Sequence, residues 1–161
     1  VINIATLLPT ITDQVTIDGT TQTGYVAGSF VPIVLDGNNL NTNGLTLGAG
    51  SSSSTIRGLV VRDFGQWGID IQASSFQNTI QNNFIGRMDS SGNTVAGEEN
   101  GAGGLRVLSG YNTIGGATST GNVISGNSSN GIRIEGVNNS IAGNIVGLNA
   151  TGTTALGNGH H

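Results

Sequence analysis

Cysteine, lysine and internal histidine are absent from this chain of 161 residues, and charged residues make up only 9% of it. Without cysteine there is no disulfide, no thiolate zinc site and no thiol catalysis. The two histidines, His160 and His161, end the chain in the manner of a purification-tag remnant. Histidine acid–base chemistry is therefore excluded from residues 1–159.

Positive charge and long apolar runs are also scarce. The five cations, all arginines, face nine acidic residues, which gives a net charge of -4. Electrostatic binding to nucleic acid or to an anionic membrane has little to act on. Apolar residues occur in short patches, never in a run near the roughly 18 residues that span a bilayer. We expect neither a nucleic-acid partner nor membrane insertion.

Three short patterns recur in order along the chain, together with 28 glycines. The first is Gly-apolar-x-apolar, at 44–47, 68–71, 104–107 and 131–134. The second is a Thr-Ile or Ser-Ile pair, at 55–56, 79–80, 113–114 and 140–141. The third is a pair of larger apolar residues, at 60–61, 84–85, 123–124 and 145–146. Each cycle of the chain thus predicts three short strands.

Longer matches indicate duplication. Residues 78–86 match 139–147, and the loop 89–97 aligns with 149–157. Near the amino end, 15–21 is echoed by 33–39, each an alternating strand that ends in an Asp-Gly turn.

Short strands in cycles of roughly two dozen residues, without any helical periodicity, predict a solenoid of stacked parallel sheets. We expect an all-β fold: a right-handed, single-stranded parallel β-helix of about six coils, spaced about 4.8 Å apart. Residues 1–159 would form one domain of a longer chain. Asparagines at corners, such as Asn78, Asn112 and Asn139, should form a hydrogen-bonded ladder between coils.

The repeats carry a family resemblance. Segments 112–116, 122–127 and 130–134, with the opening stretch 8–20, resemble the parallel β-helix repeats of large secreted or surface-attached bacterial proteins of pectate lyase-like architecture. The resemblance implies an extracellular or cell-surface location in a bacterium. It leaves the activity open, because pectate lyase-like enzymes, glycoside hydrolases, phage tailspikes and adhesins share this architecture.

The best candidate site lies on the outward face of the Gly-apolar-x-apolar strands. Asp70, Arg106 and Arg133 fall in one column of successive coils, with Gln72 and Glu135 two residues further along and Trp67 at the strand edge. The charged residues of this cluster and Trp67 could hold an acidic sugar, and Asp70 and Arg106 are the catalytic candidates. The alternative is structural: Asp70 pairs with Arg106, Glu135 offsets Arg133 and Trp67 covers a loop.

Other chemistry has less support. The glycine-rich calcium nonapeptide is absent, so no cofactor is favoured, although calcium stays open. Asp63 and Asp70 neither support nor forbid a glycosidase pair, and Glu98-Glu99 is predicted to lie in a solvated loop.

Sparse charge favours a non-enzymatic structural or adhesive segment of a bacterial surface protein, with a polysaccharide and neighbouring domains of the parent protein as partners. The alternative is a fragment of a polysaccharide lyase or glycoside hydrolase acting on acidic polysaccharide. Exposed solenoid ends also predict end-to-end self-association.

Overall fold

The computed structural model describes residues 1–160, and their fold is all-β, with three parallel sheets. The sole helical element in that range is a single 3-10 turn at Thr118–Thr120. No helix within it is long and apolar enough to cross a membrane. His160 extends the last part of the chain, with its amide donating to the Ser129 carbonyl at 2.9 Å. His161, the second residue of the expected tag remnant, lies outside the described residues.

Fifteen strands make up the sheets. They are β1 (Ile2–Asn3), β2 (Thr16–Asp18), β3 (Ile33–Leu40), β4 (Leu45–Leu47), β5 (Thr55–Arg57), β6 (Leu59–Phe64), β7 (Trp67–Ile71), β8 (Thr79–Gln81), β9 (Phe84–Ile85), β10 (Gly103–Val107), β11 (Thr113–Gly115), β12 (Val123–Ile124), β13 (Asn130–Ile134), β14 (Ser140–Ala142) and β15 (Ile145–Val146).

The chain visits the three sheets in a fixed rotation. Sheet A has the order β1-β3-β6-β9-β12-β15, sheet B the order β13-β10-β7-β4, and sheet C the order β14-β11-β8-β5-β2. From β2 to β13, each strand of sheet C is followed by one of sheet A and then one of sheet B, and we call one such passage a cycle; β14 and β15 begin the next. The three recurring sequence patterns are therefore confirmed as strands, each pattern filling one sheet.

Like residues stack on like residues because the strands pair in register. In sheet C, Ile56 pairs with Ile80, Ile80 with Ile114, and Ile114 with Ile141. The first three isoleucines are fully buried, as expected for side chains on the inward face of each strand. Every buried methylene group stabilises the fold by about 0.8 kcal/mol, so these columns are a main source of stability.

The predicted asparagine ladder is confirmed at Asn78, Asn112 and Asn139. The backbone amide of Asn78 donates to Asn112 Oδ1 at 2.8 Å, and that of Asn112 donates to Asn139 Oδ1 at 2.8 Å. Two further ladders, not predicted, occupy other corners of the cycles. Their members are Asn83, Asn122 and Asn144 in the second ladder, and Asn100, Asn127 and Asn158 in the third.

Two similar hairpins project after sheet A, as the duplication of 89–97 in 149–157 predicts. Met88 bridges Thr94 in one hairpin, and Leu148 bridges Ala155 in the other. The turns match as well: the amide of Gly92 donates to the Asp89 carbonyl, and that of Gly152 to the Asn149 carbonyl.

The echo between 15–21 and 33–39 is confirmed as a strand in each segment, but the Asp-Gly turn is confirmed only in the first. The first segment contributes β2 to sheet C and stops at Asp18, whereas the second contributes β3 to sheet A and runs on to Leu40. Asn38 and Asn39 adopt positive φ angles of 48° and 59°, and the register of β3 against β6 shifts there. A short Asp-Gly motif is too local to assign a strand to a particular sheet.

Candidate functional site

A groove runs across the outward side of sheet B. It has a volume of about 430 Å³ and is bounded on one side by residues 7–10, which precede the first cycle. Polar side chains from three cycles line the rest, with one tryptophan. These residues are Thr42, Asn43, Thr46, Gln66, Trp67, Gln72 and Arg106. We call this surface the sheet B groove.

Asp70 and Arg106 meet beside the groove because β7 and β10 pair in register at these two positions. Arg106 Nε donates to Asp70 Oδ1 at 2.7 Å, and Nη2 donates to Oδ2 at 2.8 Å. Asn43 Nδ2 also donates to Oδ2, at 3.2 Å. The hydrogen bonds from Arg106 to Asp70 raise the pKa of Arg106 above its usual value. Asp70 is fully buried, so both oxygens are engaged within the protein.

Trp67 lies under Arg106. The guanidinium carbon of Arg106 is 5.7 Å from the centre of the indole ring, within the range of a cation–π contact. The indole ring also packs against Gly103, so closely that a Cβ atom at that position would collide with the ring. Trp67 is only 6% exposed. The surface that a ligand meets in this part of the groove is the partly exposed Arg106.

Arg133 lies in β13, the next strand of sheet B, and Glu135 directly follows the end of that strand, but neither residue lines the groove. Arg133 pairs in register with Arg106, which would place two like charges side by side. Arg133 Nε instead contacts Glu135 Oε1 at 2.7 Å, and both side chains are about half exposed. The column predicted from the sequence thus contains two neutralised ion pairs, with only Trp67 and Arg106 facing the groove.

A second charged site, centred on Arg62, was not predicted. Arg62 Nη2 contacts Asp36 Oδ2 at 2.9 Å, and Nη1 contacts Glu98 Oε2 at 2.7 Å. Arg62 and Asp36 are each only 8% exposed. The sequence does contain a signal for this pair. When residues 33–36 are aligned with 59–62, Asp36 falls opposite Arg62, and β3 and β6 pair in this same register in sheet A.

Glu98 and Glu99 lie in a loop, as predicted, but the expectation that this loop is solvated is wrong. Glu98 binds Arg62, and Glu99 Oε1 contacts Arg87 Nη1 at 2.8 Å. Both glutamates are less than one-third exposed. Their arginine partners lie in β6 and at the start of the first hairpin. The composition of the loop itself gives no sign that these distant arginines contact it.

Asp63 and Glu98 are two acidic residues whose backbones meet near Arg62, and the pKa of each is raised. The Asp63 amide donates to the Glu98 carbonyl at 3.1 Å. Burial, with the nearby charge of Asp36, raises the pKa of Asp63, and burial likewise raises the pKa of Glu98 against the opposing effect of Arg62. Carboxyls with raised pKa values beside ionised ones are the groups that general acid catalysis uses.

Metal binding has no comparable geometry. Within residues 1–160, no three His, Cys, Asp or Glu side chains come together in a group that could hold a metal ion.

No known protein family, curated protein or solved structure matches this chain.

Proposed function

We propose that the three parallel sheets wrap into a right-handed parallel β-helix of about six coils, with pectate lyase-like architecture. The fixed rotation through sheets C, A and B supports the solenoid, because each cycle adds one strand to each sheet. The right hand follows from the general preference of parallel crossover connections. Sheet A, with six strands, sets the number of coils.

The function proposed for this solenoid is a non-enzymatic structural or adhesive one, as a segment of a bacterial cell-surface or secreted protein that contacts glycan through the sheet B groove. The burial of Asp70 is the observation that carries it. A general acid or base must reach a proton of the substrate, yet both Asp70 oxygens are bound by Arg106 and shielded from solvent. Extracellular location and neighbouring domains as partners rest on the resemblance of the repeats.

The test of this function is a search for turnover together with a search for binding. The protein is incubated with uronate and neutral polysaccharides, with and without calcium, and new reducing ends and unsaturated products are followed. We expect retention on insoluble polysaccharide without any product. Turnover that disappears in Asp70→Asn or in Arg106→Ala, with the fold of each variant verified by circular dichroism, would overturn the proposal.

A second candidate function, a fragment of a polysaccharide lyase or glycoside hydrolase, is favoured by the raised pKa values of Asp63 and Glu98. If the protein is such an enzyme, polysaccharide turnover should persist in the Asp70→Asn variant and should be lost in Asp63→Asn or Glu98→Gln. Glu135→Gln serves as the matched control, because Glu135 is a half-exposed carboxylate just after β13, where it pairs with Arg133 rather than with Arg62. Equal turnover in all four variants would exclude both acids from the chemistry.

A further inference from the structure

We infer that the ligand of the sheet B groove is a neutral glycan rather than a uronate. The inference rests on the proposed glycan-binding function and specifies the chemical class of its ligand. Three properties of the groove carry it: its charge, the unoccupied hydrogen-bonding groups on its walls, and its size.

The charge of the groove is already balanced. Arg106 is the one cation among the residues that line it, and two of its nitrogens are bound by Asp70. The next ion pair in the column, Arg133 with Glu135, is balanced in the same way. A uronate carboxylate would have to compete with Asp70 for Arg106, in a protein whose net charge is -4. The charge of the groove and of the protein therefore disfavours a polyanionic ligand, but it does not disfavour an uncharged one.

Hydrogen-bonding groups remain available on the groove walls. Gln72 makes no side-chain hydrogen bond within residues 1–160, and one amide can both donate to and accept from a sugar hydroxyl.

Part of the groove lining is apolar. Leu7, Leu8 and Pro9 are among its lining residues, together with the neutral polar ones. Sugar rings have apolar C–H faces and polar rims, so a groove lined by both kinds of residue fits them. The volume of about 430 Å³ lies within the range of small-ligand sites and accommodates a few sugar units.

The experiment compares cellohexaose and mannohexaose with hexagalacturonate by isothermal titration of the intact protein. We expect binding of at least one neutral hexasaccharide, no tighter binding of hexagalacturonate, and an affinity that stays constant when the salt concentration is raised about tenfold. Gln72→Ala should weaken neutral-glycan binding about three- to tenfold. Gln22→Ala, the same change at an exposed position outside the groove, should leave binding unchanged.

The other outcomes separate the two proposals. Tighter, salt-sensitive binding of hexagalacturonate would overturn the inference and leave the glycan-binding function standing. Neutral-glycan binding that is insensitive to Gln72→Ala in a variant with unchanged thermal unfolding would overturn the groove as the site. Failure of all three hexasaccharides to bind the folded protein would overturn the glycan-binding function itself.

Discussion

Asp70 and Arg106 are unequal partners, because Asp70 is fully buried whereas the Arg106 side chain is 29% exposed. Water can reach Arg106 when its partner is removed, but it cannot reach Asp70. The pair therefore stabilises the fold chiefly by satisfying the carboxylate. A buried charge that loses its partner costs far more than an exposed one.

Arg106→Met should consequently destabilise the protein by about 3 kcal/mol, since Asp70 keeps only Asn43 as a side-chain partner. Asp70→Asn preserves shape and should cost about 1 kcal/mol. Arg133→Met, at a half-exposed pair, is the control and should change stability by less than about 0.5 kcal/mol. Urea unfolding measures all three. An equal cost for Arg106→Met and Arg133→Met would contradict the assigned role of burial.

Asp18 and Asp63 should give opposite pH dependences. Arg57 and Thr20 lower the pKa of Asp18 to about 2, from an ordinary value of 3.8. The stability that Asp18 contributes is therefore present above about pH 4 and is lost as the pH falls through about 2. The pKa of Asp63 is raised, so its contribution is present at low pH and is lost as the pH rises through that raised value.

Thermal unfolding from pH 2 to 8 tests this contrast. Asp18→Asn should lower stability at neutral pH, by about 1 kcal/mol or less because Arg57 is 41% exposed, and should match the unmodified protein near pH 2. Asp63→Asn should gain stability relative to the unmodified protein as the pH rises. Parallel pH profiles for the two variants would refute the opposed shifts.

At the scale of elements, the asparagine ladders add hydrogen bonds between consecutive cycles to those that the paired strands make within each sheet. Asn122 is 1% exposed and uses its whole side chain: Oδ1 accepts from the Asn83 amide, and Nδ2 donates to the Ile80 carbonyl at 2.8 Å. Asn144 holds the same position one cycle later, but it is only half-buried.

Asn122→Ala should therefore cost about 3 kcal/mol, because the Asn83 amide and the Ile80 carbonyl would remain buried without partners. Asn144→Ala removes the same atoms where water can replace them, and it should cost about 1 kcal/mol. Denaturant midpoints give both values. A cost for Asn144→Ala as large as that for Asn122→Ala would show that burial does not set the strength of the ladder.

Periodic elements could be predicted from the sequence, because each repeated pattern combines a strand with the corner that precedes it. The first ladder and the pairing of Asp70 with Arg106 follow from that register. Other contacts could not be predicted in this way. Glu98 meets Arg62 through a loop of irregular length, and Trp67 is covered by Arg106 because of side-chain packing, which strand alternation does not specify.

At the scale of the whole molecule, all three sheets end on one side in strands with exposed apolar side chains. The strands β13, β14 and β15 are each the last in their sheet, and their apolar side chains are exposed: 37% for Ile134, 45% for Ile141 and 48% for Val146. Strand edges with exposed apolar residues are templates for pairing with another chain. Residues 158–160 cover part of this edge at the start of β13, where His160 bridges Asn130 and the Gly159 amide donates to the Asn127 carbonyl at 2.9 Å, but the three apolar side chains stay exposed.

Self-association through this end is the expected result, with a mass by light scattering that increases with protein concentration. Ile141→Lys should reduce the association by placing charge on the edge. Val137→Lys adds the same charge at an exposed position outside any strand, and it should have a smaller effect. A constant monomer mass at the highest attainable concentration would contradict this expectation.

The ladders also couple the folding of each cycle to that of its neighbour. In the second and third ladders each later asparagine accepts a hydrogen bond from the cycle before it and donates to a carbonyl of that cycle, as Asn127 does to Ile85 and Asn158 to Ile124. A folded cycle therefore presents donors and acceptors already in place for the cycle that packs on it. Folding that begins in one cycle can spread to its neighbours, with each completed cycle acting as a template for the next.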